Sequence, residues 1–393
     1  MSSMKDYYVD LHIHIGRTET NRPVKITAAK SLTLKAVLDF ACNVKGLDCI
    51  GIIDCHVPEV ISELEALLND SATEHELGGI HYNGLTLFLG SELEVYDETC
   101  KGPIHVLVYF PYLEQLKHFS QWLKDRMKNI SLSSQRIYEK GIVLQKKVKE
   151  LNGLFIPAHV FTPHKSLYGK GVETSLSEVF DPDMIDAIEL GLSSDTNMVQ
   201  NIEELKRVPF LSNSDAHSLE KIAREYQIIR MREPVFSELR KALLLQDNRG
   251  VVANYGLDPR LGKYYFTSCE ACFTPVYEES NKHDFLCSIC GYKRYTMGVL
   301  QRIGQLTSEK VDNNRPPYHH QIPLEYIPKL GPKTLEKLRN KFGTDMSIIH
   351  DATLEELEKV CTKEVAKRII KARNGELHIQ FGGAGRYGKV EVE

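Results

Sequence analysis

Across its first 257 residues the sequence alternates short apolar runs rich in β-branched residues with amphipathic helical stretches. Seven runs read as strands: 7–13, 47–53, 85–95, 104–110, 154–160, 184–190 and 208–211. Between them, 32–44, 58–68, 113–128 and 132–151 carry apolar residues three and four apart, the spacing of one buried helix face. That succession calls for an α/β domain with a mainly parallel sheet, closed as a (β/α) barrel or doubly wound. About eight residues, 96–103, separate the third run from the fourth. A crossover helix does not fit in that length, so these two runs are expected to form a hairpin.

The 393 residues amount to two or three domains. Helical patterning stops after Asn254, and Arg315-Pro316-Pro317 resists both helix and sheet. The expected pieces are 1–256, 257–314 and 315–393. No apolar run approaches the ~20 residues needed to cross a bilayer, which excludes a membrane-spanning class. Residues 1–10 carry no basic segment followed by an apolar stretch, so a cytoplasmic location without structural disulfides is expected. Residues 1–257 hold 28 Lys and Arg against 35 Asp and Glu, a net of −7, whereas 258–393 hold 21 against 18, a net of +3. The two ends therefore suit different partners, although +3 alone does not signal nucleic acid.

Several of the fifteen histidines stand where a strand run ends, the rim on which an α/β barrel builds its site. In Asp10-Leu11-His12-Ile13-His14 the two imidazoles are two residues apart on a strand and project to one face. Asp54-Cys55-His56 closes the second run, and Asp215-Ala216-His217 follows the seventh. Glu92 lies in the third run and His159 at the end of the fifth. His105 opens the fourth, and a hairpin would bring it to the same rim. Six imidazoles with carboxylates suit Zn²⁺, Mn²⁺ or Fe²⁺, with Mg²⁺ able to serve activity, and they exceed what one tetrahedral ion uses. Two or three ions are expected, with Glu92 and Asp215 as bridging, catalytic carboxylates. Clustered ions serve in-line phosphoester hydrolysis.

These ordered motifs, His12 and His14, His56, Glu92, His105, His159, Asp215 and His217, resemble those of the PHP (polymerase and histidinol phosphatase) superfamily. The resemblance implies a distorted (β/α)₇ barrel holding a trinuclear metal cluster. Many members carry Thr-Asp-His at the second motif and an acidic ligand shortly after the first. Here Asp54 is displaced and Glu19 or Thr20 stands in the latter region, so a ninth ligand is not assigned.

Downstream, Cys269-x₂-Cys272 and Cys287-x₂-Cys290 are separated by fourteen residues. Two such knuckles close on one tetrahedral Zn²⁺, and four thiolates leave no open position, so this ion is expected to be structural. Beyond it, 327–338 reads as a helix-hairpin-helix element. Its Gly331-Pro332 turn opens a helix whose amides, with Lys329, Lys333 and Lys337, favour phosphate. A degenerate second copy spans 354–372, and the glycine-rich tail 381–388 carries no readable role.

A metal-cluster phosphoesterase joined to a zinc ribbon and a backbone-gripping hairpin argues for a DNA substrate. The order of these parts is similar over nearly the whole chain to the endonuclease Q family. That resemblance implies a repair endonuclease that cuts 5′ of deaminated bases (uracil, hypoxanthine, xanthine) or abasic sites in double- or single-stranded DNA. The damaged nucleotide would be flipped out, since its Watson–Crick edge must be read. Asn213 is a candidate for the base pocket and Arg17 for a phosphate contact. No clamp-binding peptide is visible to support recruitment by a sliding clamp. The alternatives are another PHP phosphoesterase, acting as a 3′-5′ exonuclease or on small phosphates, and a non-catalytic DNA-binding protein.

Overall fold

The structure, a computed structural model, describes residues 3–276, 286–308, 314–382 and 387–390. All seven expected runs are strands: β1 (Lys5–Ile13), β2 (Cys49–Ile52), β3 (Leu85–Val95), β4 (Ile104–Phe110), β5 (Leu154–Pro157), β6 (Ile188–Glu189) and β7 (Phe210–Leu211). β1, β2 and β3 pair in parallel. β4 then runs back antiparallel to β3, with Glu92 opposite Leu107 and Glu94 opposite His105. β5 is antiparallel to β4, and β6 pairs with β7 in parallel. Backbone bonds from Asp186 to Phe155 and from Val160 to Glu189 connect β5 to β6. Reciprocal bonds between Ala216 and His12 or His14 return the end of β7 to β1. The ring of seven strands is thereby closed.

Three further strands extend the sheet from β1, namely β8 (Tyr226–Met231), β9 (Gly250–Gly256) and β10 (Tyr318–His320), in the order β10-β9-β8-β1. Periodicity does not single out β8, because Gln227 and Arg230 interrupt its apolar run and β8 answers to antiparallel pairing with β1 and β9. The helices α1 (Leu34–Phe40), α2 (Pro58–Asp70), α3 (Leu113–Lys124), α4 (Gly141–Glu150) and α5 (Phe236–Leu243) bury apolar stripes against the strands. α4 starts nine residues later than the spacing of apolar residues predicts. Residues 132–140 instead form a loop in which Ser134 is left-handed (φ 54°), and a two-residue strand, Arg136–Ile137, pairs with the end of β3.

After the barrel, Ser268–Cys269 pairs antiparallel with Tyr295–Thr296 around the cysteine cluster. Helix α6 (Val299–Leu306) follows, and α7 (Pro332–Phe342), α8 (Leu354–Glu358) and α9 (Lys363–Arg373) enclose a separate core that includes Leu330, Leu335, Leu338, Ile348 and Ile369. Pro332 occupies the first turn of α7 behind Gly331, where its missing N–H costs nothing, and the Thr362 side chain caps α9. Residues 383–386 of the glycine-rich tail lie outside the described residues.

The helical unit is keyed to the barrel by a buried ion pair. Lys45, 3% exposed, places Nζ 2.6 Å from Glu325 Oε1 and 3.0 Å from Asp345 Oδ2. Arg339 also grips Asp345, at 2.7 Å. Gly46 is left-handed (φ 78°), and Thr344 packs where a Cβ would stand, so only glycine serves there. Replacing Lys45 by Ala leaves the buried Asp345 and the partly buried Glu325 with Arg339 alone, a loss of about 3 kcal/mol. The expected outcome is amide exchange in α7 and α9 roughly a hundredfold faster while β1–β4 keep their protection, read by hydrogen-exchange mass spectrometry.

Candidate metal centre and active site

The strand rim brings together seven of the eight predicted ligands. One group is His12, His14 and Asp215, and another is Glu92, His105 and His159; within each, the ligating atoms lie within 4.8 Å of one another. Glu92 connects them: Oε1 is 2.8 Å from His105 Nδ1, 3.5 Å from His159 Nε2 and 3.7 Å from His12 Nε2, and Oε2 is 3.6 Å from His14 Nε2. Asp215 Oδ1 is 3.4 Å from His12 Nε2, 3.5 Å from His14 Nε2 and 3.3 Å from His217 Nε2. His56 is fully buried with both ring nitrogens unpartnered, but it is outside the two close groups.

The ring nitrogens facing away from the centre are held by oxygens. His12 Nδ1 lies 2.9 Å from Glu189 Oε1, and His14 Nδ1 lies 3.1 Å from Asp54 Oδ2. Thr162 Oγ1 approaches His159 Nδ1 and Thr27 Oγ1 approaches His217 Nδ1, at 3.3 and 3.4 Å. A carboxylate on Nδ1 fixes the tautomer that presents Nε2 as a lone-pair donor, as metal-ligating histidines require. The inward nitrogens of His12 and His14 are buried without a hydrogen-bond partner, and the two nitrogens of His105 have only the Glu92 and Glu94 carboxylates beside them. Leaving so many buried nitrogens unpaired is costly unless a cation takes them, so the residues fit a divalent metal cluster.

The electrostatics agree. Burial would raise the Glu92 carboxyl, but His105 and Lys25 outweigh it and hold it well below the ordinary range. Asp215 is likewise held well below its ordinary value against burial, by His12, His14 and His217. Burial opposes charge on His12, yet Glu189, Asp215 and Glu92 raise it to about 10. The pocket thus demands positive charge beside its ionised carboxylates.

Sequence reasoning did not assign Glu189, Lys25, Ser133 or Ser134. Glu189, a carboxylate in the middle of an apolar run, was a usable signal. Lys25 and the serines lie in loops without pattern. Lys25 Nζ is 3.1 Å from Glu92 Oε2 and 2.5 Å from Ser134 Oγ, which itself donates to Glu92. Together they line a cavity of about 370 Å³ that opens over Glu92, His105, His159, Asp215 and His217.

Asn213 and Arg17 both have partners within the protein. Asn213, 2% exposed, donates to Glu189 Oε1 and accepts from Leu11 N and Gln227 Nε2, so its amide braces the carboxylate behind His12, and the residue also lines a cavity that adjoins Asp215. Arg17 donates to Asn21 O within its own loop and makes no ion pair with the metal-side carboxylates among the described residues. In the helical unit Lys329 is left-handed (φ 66°) and pairs with Glu364. Lys329 and Lys337 line a groove between α7 and the start of α9, and Gly331 and Lys333 lie at the first turn of α7.

The four cysteines converge as their spacing predicts, with Cys269 Sγ 3.6 Å from Cys290 Sγ and Cys272 Sγ 3.5 Å from Cys287 Sγ. Four sulfurs about 2.3 Å from one tetrahedral Zn²⁺ would stand roughly 3.8 Å apart. The cluster therefore fits a single structural ion.

No family model matches the chain. Uncharacterized protein YqxK of Bacillus subtilis is 55% identical, over 99% of this chain and 100% of its own length. Uncharacterized protein MJ0043 of Methanocaldococcus jannaschii is 36% identical over 59% of this chain, which corresponds to 31% of that protein. The lesion-specific endonuclease PfuEndoQ from Pyrococcus furiosus superposes over 99% of this chain and 96% of its own, with a TM-score of 0.84 and 30% identity. This chain belongs to the endonuclease Q family. A second endonuclease Q structure, in complex with a 27-mer duplex bearing an abasic lesion at the active site, matches with a TM-score of 0.83 and 30% identity over 99% of this chain and 97% of that one. Among the described residues no helix is long and apolar enough to cross a membrane.

For an endonuclease Q centre built this way, Glu189 is a positioning residue. Glu189→Gln removes the charge behind His12 and is expected to weaken divalent-ion binding in the barrel ten- to a hundredfold. Metal analysis after dialysis against graded chelator checks this, with the ion at the cysteines retained.

Proposed function

We propose that the protein is a DNA-repair endonuclease that hydrolyses the phosphodiester 5′ to a deaminated base or an abasic site. The observation that carries this reading is the whole-length likeness to endonuclease Q bound to abasic-lesion DNA, together with the buried histidine–carboxylate cluster. Zn²⁺, Mn²⁺ or Fe²⁺ suit the nitrogen-rich ligands, and such ions supply an activated water and charge neutralisation at phosphorus. His12, His14, Asp215 and His217 would hold one part of the cluster, and Glu92, His105 and His159 would hold the other. Glu92 faces both parts, Asp215 faces the first, and the two are the candidate bridging carboxylates.

Beside the metal cavity lies a second one of about 230 Å³, lined by His159, His164, Ser193, Asn213, Lys263 and Tyr264 among others. It adjoins Asp215 and is a fitting receptacle for an extruded nucleotide. Its lysine, histidines and serine offer hydrogen bonds to a base edge, and Tyr264 offers an aromatic edge against His164, with ring centroids 5.3 Å apart. An unpaired or mispaired nucleotide costs less to extrude, which favours lesions over normal pairs. Residues 1–256 would form the catalytic domain and 257–314 the zinc-stapled connector. Residues 315–393 would form a helix-hairpin-helix domain whose α7 amides, Lys333 and Lys337 grip the flanking backbone.

The test is cleavage of matched duplexes differing by one internal dU, dI or abasic site, with Mn²⁺ or Mg²⁺ added and both ends labelled. One metal-dependent nick on the 5′ side of the lesion is expected; a ladder of shortened ends would overturn the reading. Asp215→Asn is expected to lower cleavage by at least ~10³-fold, about 4 kcal/mol of transition-state stabilisation, with DNA affinity retained. Lys337→Ala should weaken binding to all sequences alike and reduce the salt slope by about one, measured by fluorescence anisotropy.

A further inference from the structure

A ladder of aromatic rings and cations leads outward from the metal cavity along β3. Glu92 and Glu94 are two apart and share one face of that strand, and Tyr96 continues the series just past its end. Four residues at about 3.3 Å each put Tyr96 roughly 13 Å from the centre. The loop that delivers Ser133 and Ser134 to the cavity runs alongside, with Arg136 paired opposite Glu94 and Ile137 opposite Val95. The Arg136 guanidinium lies 4.7 Å from the Tyr96 ring centroid and 5.1 Å from that of Tyr138. Lys128 Nζ lies 5.5 Å from the Tyr138 ring.

Two properties of this ladder point away from a purely structural role. The rings are not buried by their neighbours: Tyr96 is 38% and Tyr138 50% exposed. Its cations are also not consumed by the acidic side chains around them. Glu98 pairs with Lys140, Glu139 with Arg126, and Asp97 accepts from the Gly141 and Thr99 amides. Arg136 donates to the Tyr96 carbonyl and is thereby anchored between the two rings, so the surface presents two partly exposed aromatic rings with the Arg136 and Lys128 charges beside them. That combination stacks nucleobases and attracts the phosphates between them without reading sequence.

We propose that Tyr96 and Tyr138, with Arg136 and Lys128, form a stacking platform for unpaired bases of the strand being cut. This rests on the nuclease reading above and extends it: the enzyme holds a short single-stranded segment beside the metals, not a continuous duplex on both sides. At about 3.4 Å of rise per stacked nucleotide, 13 Å corresponds to at most roughly four nucleotides from the scissile phosphate, and fewer where the strand is extended.

The experiment uses the full-length Asp215→Asn protein, so that nothing is cut, and single-stranded 15-mers, undamaged or with one abasic site. Each carries 2-aminopurine at successive positions on either side of the centre. With the abasic strand, quenching is expected at one preferred position two to four nucleotides from the lesion. In Tyr96→Leu and Tyr138→Leu that quenching disappears and Kd rises about 5- to 30-fold. Photocross-linking of 5-iodouracil strands to the parent protein, which needs no further variant, is expected to map to Tyr96 or Tyr138. Quenching lost in the variants but without a preferred position would support the platform and count against lesion recognition. Cross-links elsewhere, or Leu variants that bind and quench like the parent, would overturn the platform while leaving the nuclease reading to its own cleavage test.

Discussion

Glu92 stands where the two halves of the metal centre meet, and the interior around it can exist only if its charges are balanced. Asp10, Asp54, Glu92 and Glu189 are all essentially buried, as are His12, His14 and His56. Taking so many ionisable groups from water is tolerable when each carboxylate has a defined partner. Asp10 accepts from the amides of Ser214 and Ala223, Asp54 from Ile15, and Glu189 from His159 and Asn213. These bonds tie β1, β6, β7 and the loop after β2 to one another. The network that aims the ligands is therefore also part of what closes the ring of strands, and centre and barrel stand or fall together.

The strands were legible because they are buried on both faces and read as continuous apolar runs bounded by helices. The ligands were legible because metal chemistry restricts residue types and strand geometry restricts spacing, as in His12 and His14 or Asp215 and His217. What escaped is governed by tertiary contact. Lys25 and Ser134 come from loops, and only the folded chain brings them within hydrogen-bonding distance of each other and of Glu92. The helix expected from Leu132 onward yields to the pull of Ser133 and Ser134 into the site. Asn213 stands next to a ligand motif, and its sequence position cannot say whether its amide faces a substrate or a neighbouring carboxylate.

The cysteine knuckles and the helical unit obey different physics. Four thiolates at the right spacing specify their geometry almost without help from the rest of the chain, which is why they read plainly. The attachment of α7–α9 to the barrel does not. Lys45, Glu325, Asp345 and Arg339 are scattered over 300 positions of sequence and look like ordinary surface charges until they are brought together. The pairing of β9 with β10 repeats the lesson, since Tyr318–His320 lies beyond the proline pair at which the sequence marks a domain boundary.

The reversal between β3 and β4 has a direct consequence for the site. A standard crossover between β3 and β4 would carry the start of β4 to the rim opposite the metal ligands. The short 96–103 connection forces β4 to run backward, and its first residues then lie beside the last residues of β3. His105 reaches Glu92 for that reason alone, 2.8 Å away although thirteen positions separate them in sequence. The same reversal leaves the end of β3 projecting past the rim, where Tyr96 and the Arg136–Ile137 strand meet it. A break in the βα repeat thus completes the metal centre on its inner side and builds an exposed aromatic and basic ledge on its outer side.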